Sequence, residues 1–111
     1  MIINVRTVLA ASGTAQPLSG SIYEFITEPC LVEIGVAADA TGVLAAINSG
    51  PDTILEPDSP VSVKTINILP VYPDDFVSDE AMPQDRLSIK LRDTTGAQRI
   101  VMTQLRITPI A

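Results

Sequence analysis

Short runs of alternating apolar and polar residues make up most of this 111-residue chain. The clearest run covers residues 86–92, where Leu87, Ile89 and Leu91 alternate with polar residues. A period of two places alternate side chains on opposite faces of a β-strand. The pattern therefore predicts a strand with one face in the core and the other in solvent.

The same pattern recurs along the chain between turns that are rich in glycine, proline and aspartate. Turns at intervals of roughly 8–12 residues, which separate about eight short strands, are typical of β-sandwiches and jelly rolls. The sequence therefore predicts a single all-β domain over residues 1–111, an antiparallel β-sandwich or jelly roll. The predicted strands cover residues 2–9, 21–27, 31–38, 43–48, 53–55, 61–69, 86–92 and 99–110.

Two segments have less regular patterns. Residues 21–27 place Tyr23 and Phe25 on one side but are largely apolar on both, which predicts a strand covered on two faces. Residues 70–84 are acidic and bounded by prolines, which predicts an irregular loop with one helical turn beginning near Ser78.

The chain is apolar for its size, since 46% of its residues are hydrophobic. A domain of this length buries only roughly 65% of the surface of its unfolded chain. We therefore expect apolar surface to remain exposed, and exposed apolar patches usually mark interfaces. This predicts a homo-oligomer, for which we expect a trimer or a pentamer.

Charge is distributed unevenly along the chain, whose formal net charge is −6. Residues 1–60 contain one basic and seven acidic residues, whereas residues 86–106 contain five basic residues and one acidic residue. An acidic chain repels phosphate, which argues against a nucleic-acid partner. Two interpretations of the asymmetry remain open. The acidic surface of one subunit meets the basic strands of its neighbour, or the opposite charges lie side by side within one chain.

The basic residues fall on the last two predicted strands, which a short turn joins. If these strands pair as an antiparallel hairpin, Lys90 and Arg92 lie near Arg99 on one face. This predicted basic face is a candidate subunit interface.

The composition offers little chemistry for catalysis. The chain has no His and a single Cys, Cys30, which we expect to be a buried, inert thiol. The acidic residues of segment 74–80 could bind Ca²⁺, but their spacing does not match an EF-hand loop. A solvated acidic loop is therefore the favoured interpretation, and we expect no enzyme activity, no metal and no cofactor.

The chain contains only four aromatic residues and no Trp. So few aromatics favour a role in the core over a sugar-binding platform. Tyr72 and Phe76, in the proline-bounded segment, are the better candidates for packing on a neighbouring subunit. The candidate interface residues are Tyr23, Phe25, Tyr72, Phe76, Lys90, Arg92 and Arg99.

The apolar segments also bear on where the protein is made. Arg6 interrupts the first apolar run, so we expect no export signal. Proline and glycine divide the remaining runs so finely that none is long enough to cross a bilayer. We therefore expect synthesis in a cytoplasm and no membrane partner.

Six short stretches together show a resemblance to known proteins. They are residues 17–25, 38–45, 49–52, 73–76, 85–87 and 106–109. These stretches resemble a set of small bacteriophage proteins that are associated with virion structural genes. Gln84 stands where the resemblance implies a glycine.

The resemblance implies a minor capsid, decoration or cement protein that is located in the virion and binds the major capsid protein. It implies no particular binding residues. The leading hypothesis is therefore a non-enzymatic virion protein that forms a homo-oligomer and decorates or cements a phage capsid. The alternative is a non-catalytic β-sandwich module that binds a ligand, such as a glycan or a host surface.

Overall fold

The computed structural model describes residues 2–18, 24–65, 68–72 and 74–110. These residues form nine β-strands and no helix, arranged as two packed sheets. The predicted all-β fold and the β-sandwich architecture are confirmed. The strands are β1 (Ile2–Leu9), β2 (Thr14–Ala15), β3 (Cys30–Ala38), β4 (Val43–Ser49), β5 (Asp52–Pro60), β6 (Ser62–Val63), β7 (Phe76–Ala81), β8 (Leu87–Asp93) and β9 (Arg99–Pro109).

The larger sheet contains five strands in the order β1-β9-β3-β6, with β7 also paired to β3. The β1–β9, β3–β9 and β3–β7 pairs are antiparallel, and the short β3–β6 pair is parallel. Strands β7 and β6 follow one another along the same edge of β3. Strand β1 therefore forms the opposite edge of the sheet.

The smaller sheet contains four strands in the order β2-β8-β4-β5. All its pairs are antiparallel, and the β4–β5 pair is interrupted by register shifts around Ile47. Such irregularities bend a strand and increase its twist, which helps the sheet to cover the core.

The core lies between the two sheets. The inward positions predicted for Leu87, Ile89 and Leu91 are confirmed, since each side chain is 1% exposed. Ile34 and Leu105 of the larger sheet are equally buried and belong to the same hydrophobic cluster. Burying an aliphatic side chain of this size contributes about 1.5–3 kcal/mol to stability.

The predicted loop over residues 70–84 is wrong in its second half. Phe76–Ala81 forms strand β7, and no helical turn begins near Ser78. The strand pairs with β3, which lies more than forty positions earlier in the chain. Its pattern is hard to recognise because Asp79 lies between Val77 and Ala81 on the inward face and interrupts the apolar alternation.

Two neighbouring strand predictions are also wrong in length. The strand predicted at residues 53–55 extends over Asp52–Pro60 and includes two prolines. Proline is tolerated there because β5 is an edge strand, where missing N–H donors need not break a ladder. The strand predicted at residues 61–69 is reduced to Ser62–Val63, and residues 66 and 67 lie outside the described part of the chain.

The strand predicted at residues 21–27 is not formed by its described part. Tyr23 lies outside the described residues, and Phe25 makes only an isolated bridge with Arg86. Glu24 and Ile26 are buried beside it, whereas Phe25 is exposed. Residues 24–26 therefore form backbone hydrogen bonds with the residues that lead into β8, without forming a strand.

The left-handed backbone of Gln84, with φ of 75°, lies in the turn between β7 and β8. This region favours glycine, because a Cβ atom is crowded there. The glycine that the resemblance implies at this position would suit the observed geometry.

The predicted hairpin between β8 and β9 is wrong, because the two strands lie in different sheets. The connection crosses from the smaller sheet to the larger one. The buried Asp93 lies at its start and holds it by hydrogen bonds. Its carboxylate accepts hydrogen bonds from the N–H of Ser12 at 3.0 Å and from the N–H and hydroxyl of Thr95 at 3.0 and 2.7 Å. These bonds, with a smaller contribution from nearby Arg99, hold the pKa of Asp93 below its ordinary value.

We predict that Asp93→Asn lowers the free energy of unfolding at neutral pH, because an amide cannot accept all three hydrogen bonds. The lowered pKa means that the ionised form stabilises the fold above the ordinary aspartate pKa of 3.8 and that this stabilisation is lost as the pH falls below it. Urea denaturation at pH 7 and at pH 3 should show a difference between variant and wild type that shrinks in acid.

The matched control is Asp74→Asn, at an exposed aspartate. It should change the denaturation midpoint much less at pH 7. An equal effect of the two substitutions would contradict a structural role for the Asp93 carboxylate.

Candidate functional site

Exposed apolar side chains are concentrated on the side of the larger sheet. Nine large hydrophobic residues in the described part of the chain are 43–55% exposed. Seven of them lie in the larger sheet or in segments that adjoin it alone, and the exceptions are Phe25 and Met82, which lie next to β8 of the smaller sheet. The nine are Ile2, Val8, Phe25, Val63, Ile68, Val71, Tyr72, Met82 and Ile110.

Two side chains of the larger sheet and one from the segment before β7 form an aromatic cluster, which we define as Tyr72, Phe76 and Arg106. The two rings meet edge to face, with centroids 5.2 Å apart and planes at 79°. The guanidinium carbon of Arg106 lies 3.9 Å from the Tyr72 centroid and 5.4 Å from that of Phe76. Both distances fall within the range of cation–π attraction. Tyr72 and Phe76, which we predicted as interface residues, are therefore brought together by the fold.

Strand register places this cluster on the outer face of the larger sheet. Glu33 of β3 pairs with Arg106 of β9, and Gly35 of β3 pairs with Phe76 of β7. Directly paired residues share one face of a sheet, so all these side chains project to the same side. The phenol of Tyr72 donates a 2.6 Å hydrogen bond to Glu33, which raises the pKa of Tyr72 and keeps it protonated.

Gly35 makes room for the ring of Phe76. A Cβ atom at this position would lie 2.6 Å from the ring, closer than carbon atoms approach. The ring therefore rests directly on the backbone of β3, which explains why Gly35 is buried on an outer face.

A chain of polar contacts extends from the cluster to the edge strand. Arg106 donates a 2.8 Å hydrogen bond to the amide oxygen of Gln104, whose nitrogen donates a 2.9 Å hydrogen bond to Asn4. The outer face of β9 is thus tied to β1. No local pattern indicates this network, because residue 4 and residue 104 meet only through the β1–β9 pairing.

Lys90 and Arg92 lie on the other side of the molecule from the aromatic cluster. They line an open groove of about 530 Å³ on the smaller sheet, beside Leu44 and Ala46. Arg99 begins β9 in the larger sheet, so the predicted basic face that joins all three residues is not formed.

Two of the basic residues pair with acidic residues of the same chain. Arg86 lies 2.7 Å from Glu24, and Arg92 lies 2.7 Å from Asp58. Both pairs join the acidic residues 1–60 to the basic residues 86–106, so the interpretation that these charges pair within one chain is confirmed for them. The solvent-exposed Arg92–Asp58 pair contributes about 0–1 kcal/mol, whereas Glu24 is buried beside Arg86.

The acidic residues of segment 74–80 do not converge on one point. Asp75 accepts hydrogen bonds from the hydroxyl of Ser62 at 2.6 Å and the N–H of Val71 at 2.7 Å, and Lys64 lies 3.3 Å away. These contacts, led by that from Ser62, lower the pKa of Asp75. Within the described ranges, no group of three or more His, Cys, Asp or Glu residues is placed to hold a metal ion.

Asp79 instead faces Asp52, at the start of β5. The negative charge of Asp79 is the largest cause of a raised pKa at Asp52, and partial desolvation, a hydrogen bond between the two carboxyl groups and the charge of Asp85 add to it. One oxygen of Asp79 is buried and accepts no hydrogen bond from the described residues. The two carboxylates therefore repel each other at neutral pH.

Cys30 is buried at the start of β3, as predicted. Burial, and to a lesser extent the nearby Glu28, raises the pKa of its thiol. The side chain packs in the hydrophobic cluster of the core.

Comparison with known proteins provides no family for this chain. No protein-family model matches it, and no curated protein sequence matches it. No helix in the described ranges is long and apolar enough to span a membrane. A proposal for the function of this protein therefore depends on the surfaces of the fold.

We predict that Gly35→Ala destabilises the protein by about 1–3 kcal/mol, because the new methyl group displaces the Phe76 ring. Replacing a strand glycine by alanine is otherwise mildly stabilising. The loss should therefore disappear in a Phe76→Leu background, and chemical denaturation of all four proteins gives the coupling energy. Additive effects of the two substitutions would exclude this contact as the cause.

We predict that Asp52→Asn raises the free energy of unfolding at pH 7. The raised pKa means that the folded chain disfavours ionised Asp52, a penalty that is present at neutral pH and absent below the ordinary aspartate pKa of 3.8. Thermal unfolding should show a higher midpoint for the variant at pH 7 and similar midpoints near pH 3.

The matched control is Glu56→Gln, which removes an equal charge from the same strand. Glu56 lies about four residues from Asp52 along the strand, or roughly 13 Å. It should stabilise the protein less than Asp52→Asn does. If both substitutions raise the midpoint equally, the effect comes from net charge and not from the Asp52–Asp79 pair.

Proposed function

We propose that the protein is a non-catalytic structural subunit that associates with copies of itself. In the setting that the resemblance implies, it decorates or cements a phage capsid by binding the major capsid protein in the virion. The observation that carries the proposal is the unequal distribution of exposed apolar side chains between the two sheets.

The larger sheet resembles the surface of a subunit that is buried on assembly. Its strands and the segments that adjoin it alone hold seven of the nine exposed large hydrophobic residues in the described chain. The strands of the smaller sheet hold none, and Phe25 and Met82 lie in segments next to its strand β8. Scattered exposed apolar residues are ordinary, but their concentration on one side of a small protein is typical of an interface. Burying about 800 Å² on each partner is enough for a specific contact.

The aromatic cluster suits such a surface because it is already ordered. Tyr72 remains 43% exposed, yet its ring is held by Arg106 and its hydroxyl by Glu33. Tyrosine and arginine are enriched among the residues that dominate binding energies. A side chain held in place before binding loses less conformational entropy when a partner covers it.

Attraction between opposite charges of neighbouring subunits, one of the two interpretations of the sequence, has a smaller part in the proposed association. Arg86 and Arg92 already pair with Glu24 and Asp58 in their own chain, which leaves them less available to a neighbour. Each copy also has a net charge of −6, so copies repel one another. Apolar contact must outweigh this repulsion, and added salt should therefore strengthen the association.

The groove on the smaller sheet favours a second candidate function. Its volume of about 530 Å³ lies within the range of small-ligand sites, and Lys90 and Arg92 line it. A non-catalytic module that binds a glycan or a host surface would use such a groove. The described residues that line it include no aromatic ring on which a sugar could stack.

Light scattering over a range of concentrations tests the proposal. We expect a mass above the 11.8 kDa of one chain, rising with concentration and not falling with added salt. Val8→Lys and Val71→Lys place charges on the larger-sheet side, and at least one should weaken association tenfold or more. Thr53→Lys places the same charge on an exposed position of the smaller sheet and should have no effect.

Circular dichroism of each variant establishes that it is folded. A protein that stays at 11.8 kDa up to about 1 mM makes no self-contact stronger than about 4 kcal/mol. That result would contradict self-association and favour the ligand-binding module. The virion setting is tested separately, since peptides of the chain should appear by mass spectrometry in gradient-purified particles of the encoding phage.

A further inference from the structure

We propose that β1 pairs with β1 of a second copy, antiparallel and in a register centred on Val5. The proposal rests on the self-association proposed above and names the contact that produces it. The two larger sheets then join into one continuous sheet across a two-fold axis.

The first support is that β1 is an unprotected edge. All eight of its residues pair with β9 without a register shift, from Ile2 opposite Arg106 to Leu9 opposite Arg99. No other described strand pairs with β1. Edge strands are usually protected by proline, by bulges or by several charges. Strand β1 has no proline and no bulge, and Arg6 is its only charged residue.

The second support is that the core is incompletely covered beside β1. Ile3, Val5 and Thr7 point to the core side but remain half-buried. Their partners on β9 are Leu105, Thr103 and Val101, which are almost fully buried. The two sets lie in neighbouring strands and on the same face. The difference arises because no described strand lies on the open side of β1, and a further strand there would cover these side chains.

The third support is the match between β1 and itself. Antiparallel strands related by a two-fold axis place residues of the same face opposite each other. A register centred on Val5 sets Ile2 opposite Val8 of the second copy. The two exposed apolar side chains on the outer face of the strand are then buried together. It also sets Ile3 opposite Thr7 and Asn4 opposite Arg6.

The neighbouring registers match less well. Centring on Arg6 places the same charge opposite itself, which is unfavourable. Centring on Asn4 places Ile2 opposite Arg6 and leaves Val8 without a partner. Only the Val5 register pairs apolar with apolar side chains on the outer face while keeping the two arginines from lying directly opposite.

The two-fold axis is perpendicular to the joined sheet, so both outer faces point in the same direction. Both aromatic clusters therefore remain accessible on one surface of the dimer. That surface stays available for a different partner, such as the shell that the proposed function implies.

Single cysteines in β1 test the register. Directly opposed antiparallel residues have Cα atoms about 4.5–5.5 Å apart, which is within the range of a disulfide bond. Val5 is the only residue that would face its own copy, so Val5→Cys should form a disulfide-linked dimer under mild oxidation. The native Cys30 is buried and should not interfere.

Thr7→Cys is the matched control, because Thr7 lies on the same face and is also half-buried. It should cross-link at least tenfold less than Val5→Cys. Combining Ile3→Cys with Thr7→Cys should restore cross-linking, because these positions oppose each other. Equal cross-linking of the two single variants would overturn the register.

Opposite charges introduced at the two paired positions provide a test that needs no oxidation. Ile2→Lys and Val8→Glu should each weaken the dimer tenfold or more in light scattering, and the double variant should recover most of the affinity. Circular dichroism confirms folding in each case.

The outcomes separate this contact from the proposed function. If the wild type associates but Val5→Cys does not cross-link and the charge pair gives no recovery, the β1 contact is wrong and self-association stands. If the wild type is monomeric at every concentration, both are wrong.

Discussion

The antiparallel pairing of β3 with β9 is the interaction on which the rest of the structure depends. It joins residues 30–38 to residues 101–109 without a break. Its inner face presents Ile34 and Leu105 to the core, and its outer face presents Glu33 and Arg106 to the aromatic cluster. Because side chains alternate, a slip of one residue would exchange the two faces. The core and the candidate interface are therefore specified by the same register.

The two sides of the sandwich have different surfaces as a result. The smaller sheet presents Lys90 and the Arg92–Asp58 pair around an open groove. The larger sheet presents an ordered aromatic cluster within a polar network and exposes Ile2 and Val8 on its edge strand. Two of the basic residues meet acidic residues of the same chain, so these two charges are less available to partners. An ordered aromatic cluster and an edge strand with exposed apolar side chains are the features on which the proposed adhesive function rests.

The proposed contacts divide this surface into two parts. The edge of β1 supplies hydrogen-bonding backbone groups and self-complementary side chains, which suit a second copy. The aromatic cluster, centred on Tyr72, supplies a rigid exposed ring, which suits a partner of another kind. A subunit with both could join to itself and to a larger body at the same time.

Sequence alone determined the all-β class and the strands β1, β3, β4, β8 and β9 to within about two residues, because alternation is a local property of the chain. Tertiary structure decided the rest. Strand β7 forms because β3 offers it a pairing edge, although Asp79 interrupts its apolar face. The aromatic cluster exists because pairing brings Tyr72 to Glu33, 39 residues away, and sets Arg106 beside them. Contacts between distant segments depend on sheet order and register, which no local pattern encodes.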